Sequence, residues 1–200
     1  MNVRKGEDWG ERGDVPADAA SARSDREIAE IAAEHRRANR PIPPVVVTGG
    51  DLARTLGGRG EAATGTGTLA TVDLGAVLVD GKLHWFVAHL IARRSWLRGR
   101  VVVAANAAFV GDWNIAPRAH PGDGRLDLLD GDPSLGDRLK ARRRMSTGTH
   151  LPHPAISVRR VEAVQIDLDR PTPIHLDGHS IGPARSLSIR VEPNAIDVWI

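Results

Sequence analysis

Residues 101–130 read VVVAANAAFVGDWNIAPRAHPGDGRLDLLD, and this stretch decides the fold. Val101 to Ala105 is an unbroken apolar run closed by Asn106, the pattern of a buried strand. A loop follows with Gly111, Asp112, Asn114 and Pro117, residue types that favour turns. Pro121-Gly122-Asp123-Gly124 predicts a tight turn, because Asp-Gly tolerates the positive φ that most side chains resist. Arg125 to Leu129 then alternates polar and apolar, which predicts a second strand with one buried face. A strand, a loop, a glycine turn and a strand point to a β protein.

The same pattern extends in both directions. Upstream, residues 72–89 predict a hairpin turning at Asp80-Gly81. Pairing Val79 with Lys82 puts Val72, Leu74, Ala76 and Leu78 on one face, together with Leu83, Trp85, Val87 and His89. Downstream, Ser134–Met145 predicts a short basic helix with Leu135 and Leu139 inward, and residues 147–154 predict a loop. Residues 158–168 alternate as a strand. Ile174–Leu176 leads into Asp177-Gly178-His179, and Leu187–Val191 and Ala195–Ile200 predict two closing strands. Four Asp-Gly dipeptides and little helix after residue 60 predict an antiparallel β sandwich or barrel.

The first 60 residues read differently. Residues 1–22 are polar and predict a loosely held arm, with Trp9 as its anchor. Ser24-Asp25-Arg26-Glu27 fits a capping box, and Ile28, Ile31, Ala32 and His35 continue at helical spacing over residues 25–38. Pro41-Ile42-Pro43-Pro44 stops that helix. Val45–Val47 predicts a buried strand, Thr48-Gly49-Gly50 a turn, and Asp51–Leu56 a short helix ended by Gly57-Gly58. A strand, a glycine turn and a helix start make Thr48, Gly49, Gly50 and Asp51 a candidate phosphate cradle. Asp51 as N-cap would itself occupy those amides and repel an anion. Residues 61–68 (EAATGTGT) predict a flexible connector. The expected class is α+β, mainly antiparallel β, with a truncated α/β remnant over 1–60 and a β sandwich over 61–200.

Composition narrows the function. The chain has 200 residues, a formal charge of +2, no Cys, no Tyr and five Trp. That balance gives no case for nucleic acid, and the missing Cys excludes disulfides and thiolate metal sites. No apolar run reaches the roughly 20 residues that span a bilayer, so the expectation is a soluble cytoplasmic protein. The basic residues cluster, however: Arg93, Arg94, Arg98 and Arg100 form one group, and Arg138, Lys140, Arg142, Arg143 and Arg144 another. Charge runs usually solvate a surface, but these could also meet an anionic membrane. His150-x-x-His153 and His175-x-x-x-His179 have metal-ligand spacing but lie on no common helical face.

Asn106 at a strand end, Ile115-Ala116-Pro117 and Asp123-Gly124-x-Leu126-Asp127 together resemble the C-terminal domain of the diacylglycerol kinase and sphingosine kinase-like lipid kinases. Leu176-Asp177-Gly178 stands where that family carries Asp-Gly-Glu, and Thr48-Gly49-Gly50-Asp51 where it carries Gly-Thr-Gly-Asn-Asp. Arg93–Arg100 replaces a longer helical insertion. The resemblance implies a β-sandwich domain, with Asp177 and His179 at the catalytic positions and Thr48–Asp51 at the cofactor. It also implies a structural magnesium held by the Asp123 carboxylate and by the His120 and Arg125 carbonyls.

Three departures bear on activity. Residues 1–44 contain no Gly-Gly-Asp-Gly-Thr phosphate loop, the family's Asn is Gly50 here, and its Glu is His179. The expectation is a lipid-kinase-like protein that does not use ATP on its own and binds a lipid or other small molecule. Alternatives are an active ATP- and magnesium-dependent kinase with a reduced site, or a structural or regulatory subunit with a protein partner.

Overall fold

A computed structural model describes residues 10–58, 60 and 65–200. Trp9 and residues 61–64 of the connector lie outside the described residues.

Of the expected loose arm, residues 1–9 lie outside the described residues, and the rest is built into the fold, which corrects that expectation for residues 10–22. Strand β1 (Glu11–Asp14) pairs antiparallel with the beginning of a long strand, β4 (Thr66–Val79). Strand β2 (Ala20–Ala22) pairs parallel with β3 (Val45–Val47), and helix α1 (Asp25–Arg37) makes the crossover that a parallel pair requires. The Ser24 hydroxyl accepts the Glu27 N–H at 3.3 Å, whereas the Glu27 carboxylate reaches past the cap to the Arg23 N–H at 2.7 Å. Helix α2 (Asp51–Thr55) follows directly after β3. Residues 66–68, expected as connector, belong to β4, because β1 gives their backbone a ladder partner.

Strand β4 turns at Asp80-Gly81 into β5 (Lys82–Phe86) with the predicted register, Val79 opposite Lys82 and Ala76 opposite Trp85. Asp80 takes φ +45°, and its carboxylate accepts the Ser186 N–H at 2.9 Å, which pins the turn to the last strand. The hairpin stops short of the predicted length. After Phe86 the chain bends, and β6 (His89–Arg93) leaves to pair with β7 (Val101–Ala105). The single-faced pattern is also corrected. Leu78 and Leu83 are about 40% exposed, while Val77, Val79 and Phe86 on the opposite face are buried. Strand β4 thus lies between two cores, and Gly75 lets the Phe86 ring lie where a Cβ would sit.

Beyond β7 a small hairpin, β8 (Phe109–Val110) and β9 (Trp113–Asn114), precedes the Asp123 turn. Strand β10 (Leu126–Gly131) is buried on both faces, Asp127 included, because β7 and β11 (Ile156–Val161) flank it. Between β10 and β11 stands helix α3 (Leu135–Met145). The predicted strand over 158–168 breaks at Glu162 into β11 and β12 (Ala163–Leu176), and the two predicted closing strands are one, β13 (His179–Trp199), with a register shift between Glu192 and Ile196.

Eleven strands among the described residues form one sheet whose main path is β1-β4-β13-β12-β6-β7-β10-β11. The result is an α+β fold dominated by antiparallel sheet, a β sandwich carrying a small helical N-terminal region. Strand β13 continues the sheet into β3 by a parallel pairing at Val198 and Trp199. One core lies between α1, α2 and β4; a second fills the sandwich around Phe86, Leu90, Leu128 and Leu187; a third covers the outer face of β7 and β10. Helix α3 sits over this third face but does not close on it. Leu135 and Leu139, expected inward, are each 52% exposed, and Ala141 is the buried residue of the helix. No helix among the described residues is long and apolar enough to cross a membrane.

Candidate functional site

The bend after Phe86 exists because a side chain from far along the chain takes its backbone. The Asp177 carboxylate accepts the N–H groups of Val87, Ala88 and His89, each at 2.9 Å. Asp177 itself has φ +47° in an Asp-Gly turn between β12 and β13, a conformation Asp tolerates better than most residues. Desolvation pushes its pKa up to about 7 against the pull of those three donors, and the nearby Asp25 charge pushes the same way. Asp25 is buried, and burial raises it to about 6.

Asp25 also decides the fate of the candidate phosphate cradle. Its two oxygens accept the N–H groups of Asp51 at 2.6 Å and Leu52 at 3.0 Å, the first free amides of α2. The N-cap of α2 is Gly50, at φ +100°, rather than Asp51, and Asp25 supplies the cap from another element. Asp51 points elsewhere. Its carboxylate accepts the Gly111 N–H at 2.7 Å and lies 3.8 Å from His89 Nδ1. His89 is buried and held neutral, its pKa lowered to about 4 by desolvation. Its Nε2 lies 2.9 Å from the Ala107 carbonyl, so Nε2 carries the proton and Nδ1 faces Asp51 as an acceptor.

The fold therefore brings Asp177 and the Thr48–Asp51 turn to one place, and adds Asp25 and His89. His179 is exposed, with Nδ1 3.3 Å from the guanidinium of Arg26, the residue after Asp25. Asp25 and Asp177, raised to about 6 and about 7, can bind and release a proton near neutral pH, and burial raises Asp51 above the usual carboxylate value as well.

The Asp123 turn lies apart, where the β4 backbone meets β10. Asp123 Oδ1 accepts the Arg125 N–H at 3.1 Å, and Oδ2 is bound by Arg160. Asp73, fully buried, accepts the N–H groups of Gly124 at 2.7 Å and Asn194 at 2.9 Å. Desolvation raises both Asp73 and Asp127. The His120 ring faces the Gly122 N–H at 3.2 Å, and the Arg125 side chain reaches Glu162. Both oxygens of Asp123 are thus engaged by this chain, so a cation here would compete with the Arg160 guanidinium. No group of three metal-ligand side chains occurs among the described residues, the paired histidines included.

An apolar opening lies under α3. A cavity of about 320 Å³, at the small end of ligand pockets, is floored by Ile91, Val103 and Leu129 and roofed by Leu135, Leu139 and Met145. Trp96 and Leu97 form its mouth, 48% and 60% exposed. Trp113 stands edge-on to Trp96 at 5.9 Å, and the Arg93 guanidinium lies over the Trp96 ring at 3.7 Å. Arg138 ties the helix to the mouth: it donates to the carbonyls of Trp96 and Gly99 and bonds Asp132 at 2.9 Å. Arg93 from one basic group of the sequence and Arg138 and Arg142 from the other therefore meet at this opening. Buried His150 also lines it, with Nε2 3.2 Å from the Ile115 carbonyl.

Sequence reasoning passed over Asp25, His89 and the cavity. Asp25 lies within a capping box and reads as a first-turn acid; its partners are 26 and 27 residues away. Leu135 and Leu139 gave the one available signal of the cavity, but helical spacing does not separate a core stripe from a pocket wall.

Residues 76–200 match the family described as the YegS C-terminal NAD kinase beta sandwich-like domain. No curated protein matches the chain. Among solved structures, a candidate diacylglycerol kinase from Bacillus anthracis str. Sterne is similar with a TM-score of 0.62 at 14% identity, covering 80% of this chain and 71% of that one. A structure of a diacylglycerol kinase from the same organism gives a TM-score of 0.58 at 12% identity, covering 78% and 69%. At such identities the likeness is one of fold.

Proposed function

Since the chain belongs to the YegS C-terminal NAD kinase beta sandwich-like domain family, we propose that it is a lipid-kinase-like module that binds an apolar lipid chain under α3 and transfers no phosphate from ATP by itself. The cavity beneath α3 carries this reading. Four large apolar side chains, Trp96, Leu97, Leu135 and Leu139, stand about half exposed around one opening instead of packing into a core. Each methylene a ligand buried there would contribute about 0.8 kcal/mol, which rewards a chain over a compact polar molecule. Arg142, Arg143 and Arg144 follow on the same helix, so an acidic bilayer is the surface on which the module would meet its lipid.

The absence of phosphotransfer is supported from within the fold. Phosphoryl transfer is mostly positioning and charge neutralisation, and needs free donors at the phosphates. Here the α2 amides are held by Asp25, Asp177 is committed to three amides, and His179 sits beside Arg26 where the lipid kinases carry a carboxylate.

The test is the purified chain with ATP, magnesium and vesicles carrying diacylglycerols or sphingoid bases. The expected result is lipid-dependent retention on the vesicles and no phosphorylated lipid. Turnover of any lipid would overturn the reading of the site, and failure to bind lipid would overturn that of the cavity.

A further inference from the structure

Behind the loop that forms the cavity mouth lies a second hollow, of about 530 Å³ and of opposite character. Its walls carry Arg94, Arg98, Arg100 and Arg170, with Asp132 and Asp169. The charges do not cancel. Arg100 is committed to Asp130, donating from Nε and Nη2 at 2.8 Å each, and Asp132 is matched by Arg138. Arg94, Arg98 and Arg170 make no ion pair among the described residues, and face Asp169 alone. These arginines are assembled by the fold. Arg94 and Arg98 flank the mouth, whereas Arg170 comes from β12, at the register shift between Asp167 and Thr172 that lets a strand re-aim its side chains.

The two hollows adjoin along the mouth loop. Along the mouth loop, Trp96 and Leu97 face the apolar cavity while Arg94, Ser95 and Arg98 face the polar one; Pro133 and Asp132 divide in the same way. We propose that together they form one bipartite site for an anionic single-chain amphiphile, its tail under α3 and its phosphate monoester head among Arg94, Arg98 and Arg170. Guanidinium groups suit that head, because their paired N–H donors match two phosphate oxygens at once. This assignment rests on the proposed binding of a lipid chain, and goes beyond it by fixing the charge and place of the head.

The test is calorimetric titration with dodecyl phosphate, dodecanol and inorganic phosphate, each below any micelle concentration. The parent protein and the Arg94→Gln/Arg170→Gln double variant are compared. In the parent, dodecyl phosphate should bind at least about tenfold more tightly than dodecanol, and inorganic phosphate far more weakly than either. In the double variant that advantage should vanish while dodecanol binding stays unchanged, since neither arginine lines the apolar cavity. If dodecanol binds and dodecyl phosphate binds no more tightly, or keeps its advantage in the variant, the head site is wrong and the cavity reading stands. Inorganic phosphate binding as tightly as dodecyl phosphate would make this a free-anion site and overturn the bipartite ligand. If neither dodecyl compound binds, the cavity reading fails and takes the bipartite site with it.

Discussion

Asp177 accepts the backbone N–H of His89 at 2.9 Å across 88 residues of chain, and that bond ends the first hairpin. Without it, the alternation of residues 72–89 would carry the ladder on to Val72 and His89. With it, Val87, Ala88 and His89 turn their amides to a carboxylate and the chain leaves for another part of the sheet.

This carboxylate makes stability depend on pH. Asp177 has a folded pKa near 7, above the 3.8 of an exposed Asp, so the folded protein holds the proton more tightly than the unfolded chain. The stability associated with the protonated group is complete below about pH 4 and is lost as pH rises through about 7. Asp25, near 6, acts in the same direction over a narrower window. Asp177→Asn cannot titrate, so its unfolding free energy should fall less between about pH 5 and about pH 8 than the parent's. It should also be less stable overall by about 1–3 kcal/mol, because the amide NH₂ leaves one backbone donor unmatched. Denaturant melts at the two pH values check both statements; an equal pH slope in parent and variant would rule out Asp177 as the titrating group.

At the Asp123 turn, a bound magnesium would have to compete with Arg160. An ion at 100 times its dissociation constant would add about 2.7 kcal/mol to stability. Melting temperature should then rise with millimolar magnesium in the parent, rise further in Arg160→Gln, and not change in Asp123→Ala. Flat melting curves in all three would leave Asp123 as a turn residue bonded to Arg125 and Arg160.

The basic end of α3 should be felt at membranes. Lys and Arg near an anionic surface contribute roughly 1 kcal/mol each, screened over a Debye length of about 8 Å at physiological salt. Arg142→Gln/Arg143→Gln/Arg144→Gln should therefore release the protein from acidic vesicles, with a loss of thermal stability no larger than about 1 kcal/mol, since these side chains make no ion pair among the described residues and Arg142 gives up its place over the Trp113 ring. Sedimentation with acidic and neutral vesicles decides the matter. Undiminished binding of the triple variant to acidic vesicles would place the contact elsewhere.

What could be read in the sequence was local. The Asp80-Gly81 turn, the Val79–Lys82 register, β3, β7 and the extent of α1 all follow from spacing and turn chemistry within a few residues. What could not be read depends on partners distant in the chain. No local pattern says that Asp25 caps α2, that Asp177 captures the β5–β6 amides, or that β1 gives residues 66–68 a ladder. The candidate site was half visible for the same reason. Asp177 and the Thr48–Asp51 turn carry motifs, while His89 looked like one more hairpin position. At α3, the periodicity correctly grouped Leu135 with Leu139. Whether a helix face meets a packed core or a hollow depends on the side chains opposite, which come from β6, β7, β9 and β10.

A lipid chain bound under α3 would lie against Trp96 and Trp113. Bromine atoms on an acyl chain quench an indole only at contact range, so titrating the protein with a brominated single-chain lipid tests the claim directly. Trp85 and Trp199 are buried in other parts of the fold and should keep their emission. Saturable quenching is expected in the parent and its loss in Trp96→Phe/Trp113→Phe, with Leu135→Ala/Leu139→Ala weakening the affinity by about tenfold or more. Saturable quenching that survives in the double Phe variant, or none in the parent at concentrations where the lipid binds, would contradict that placement.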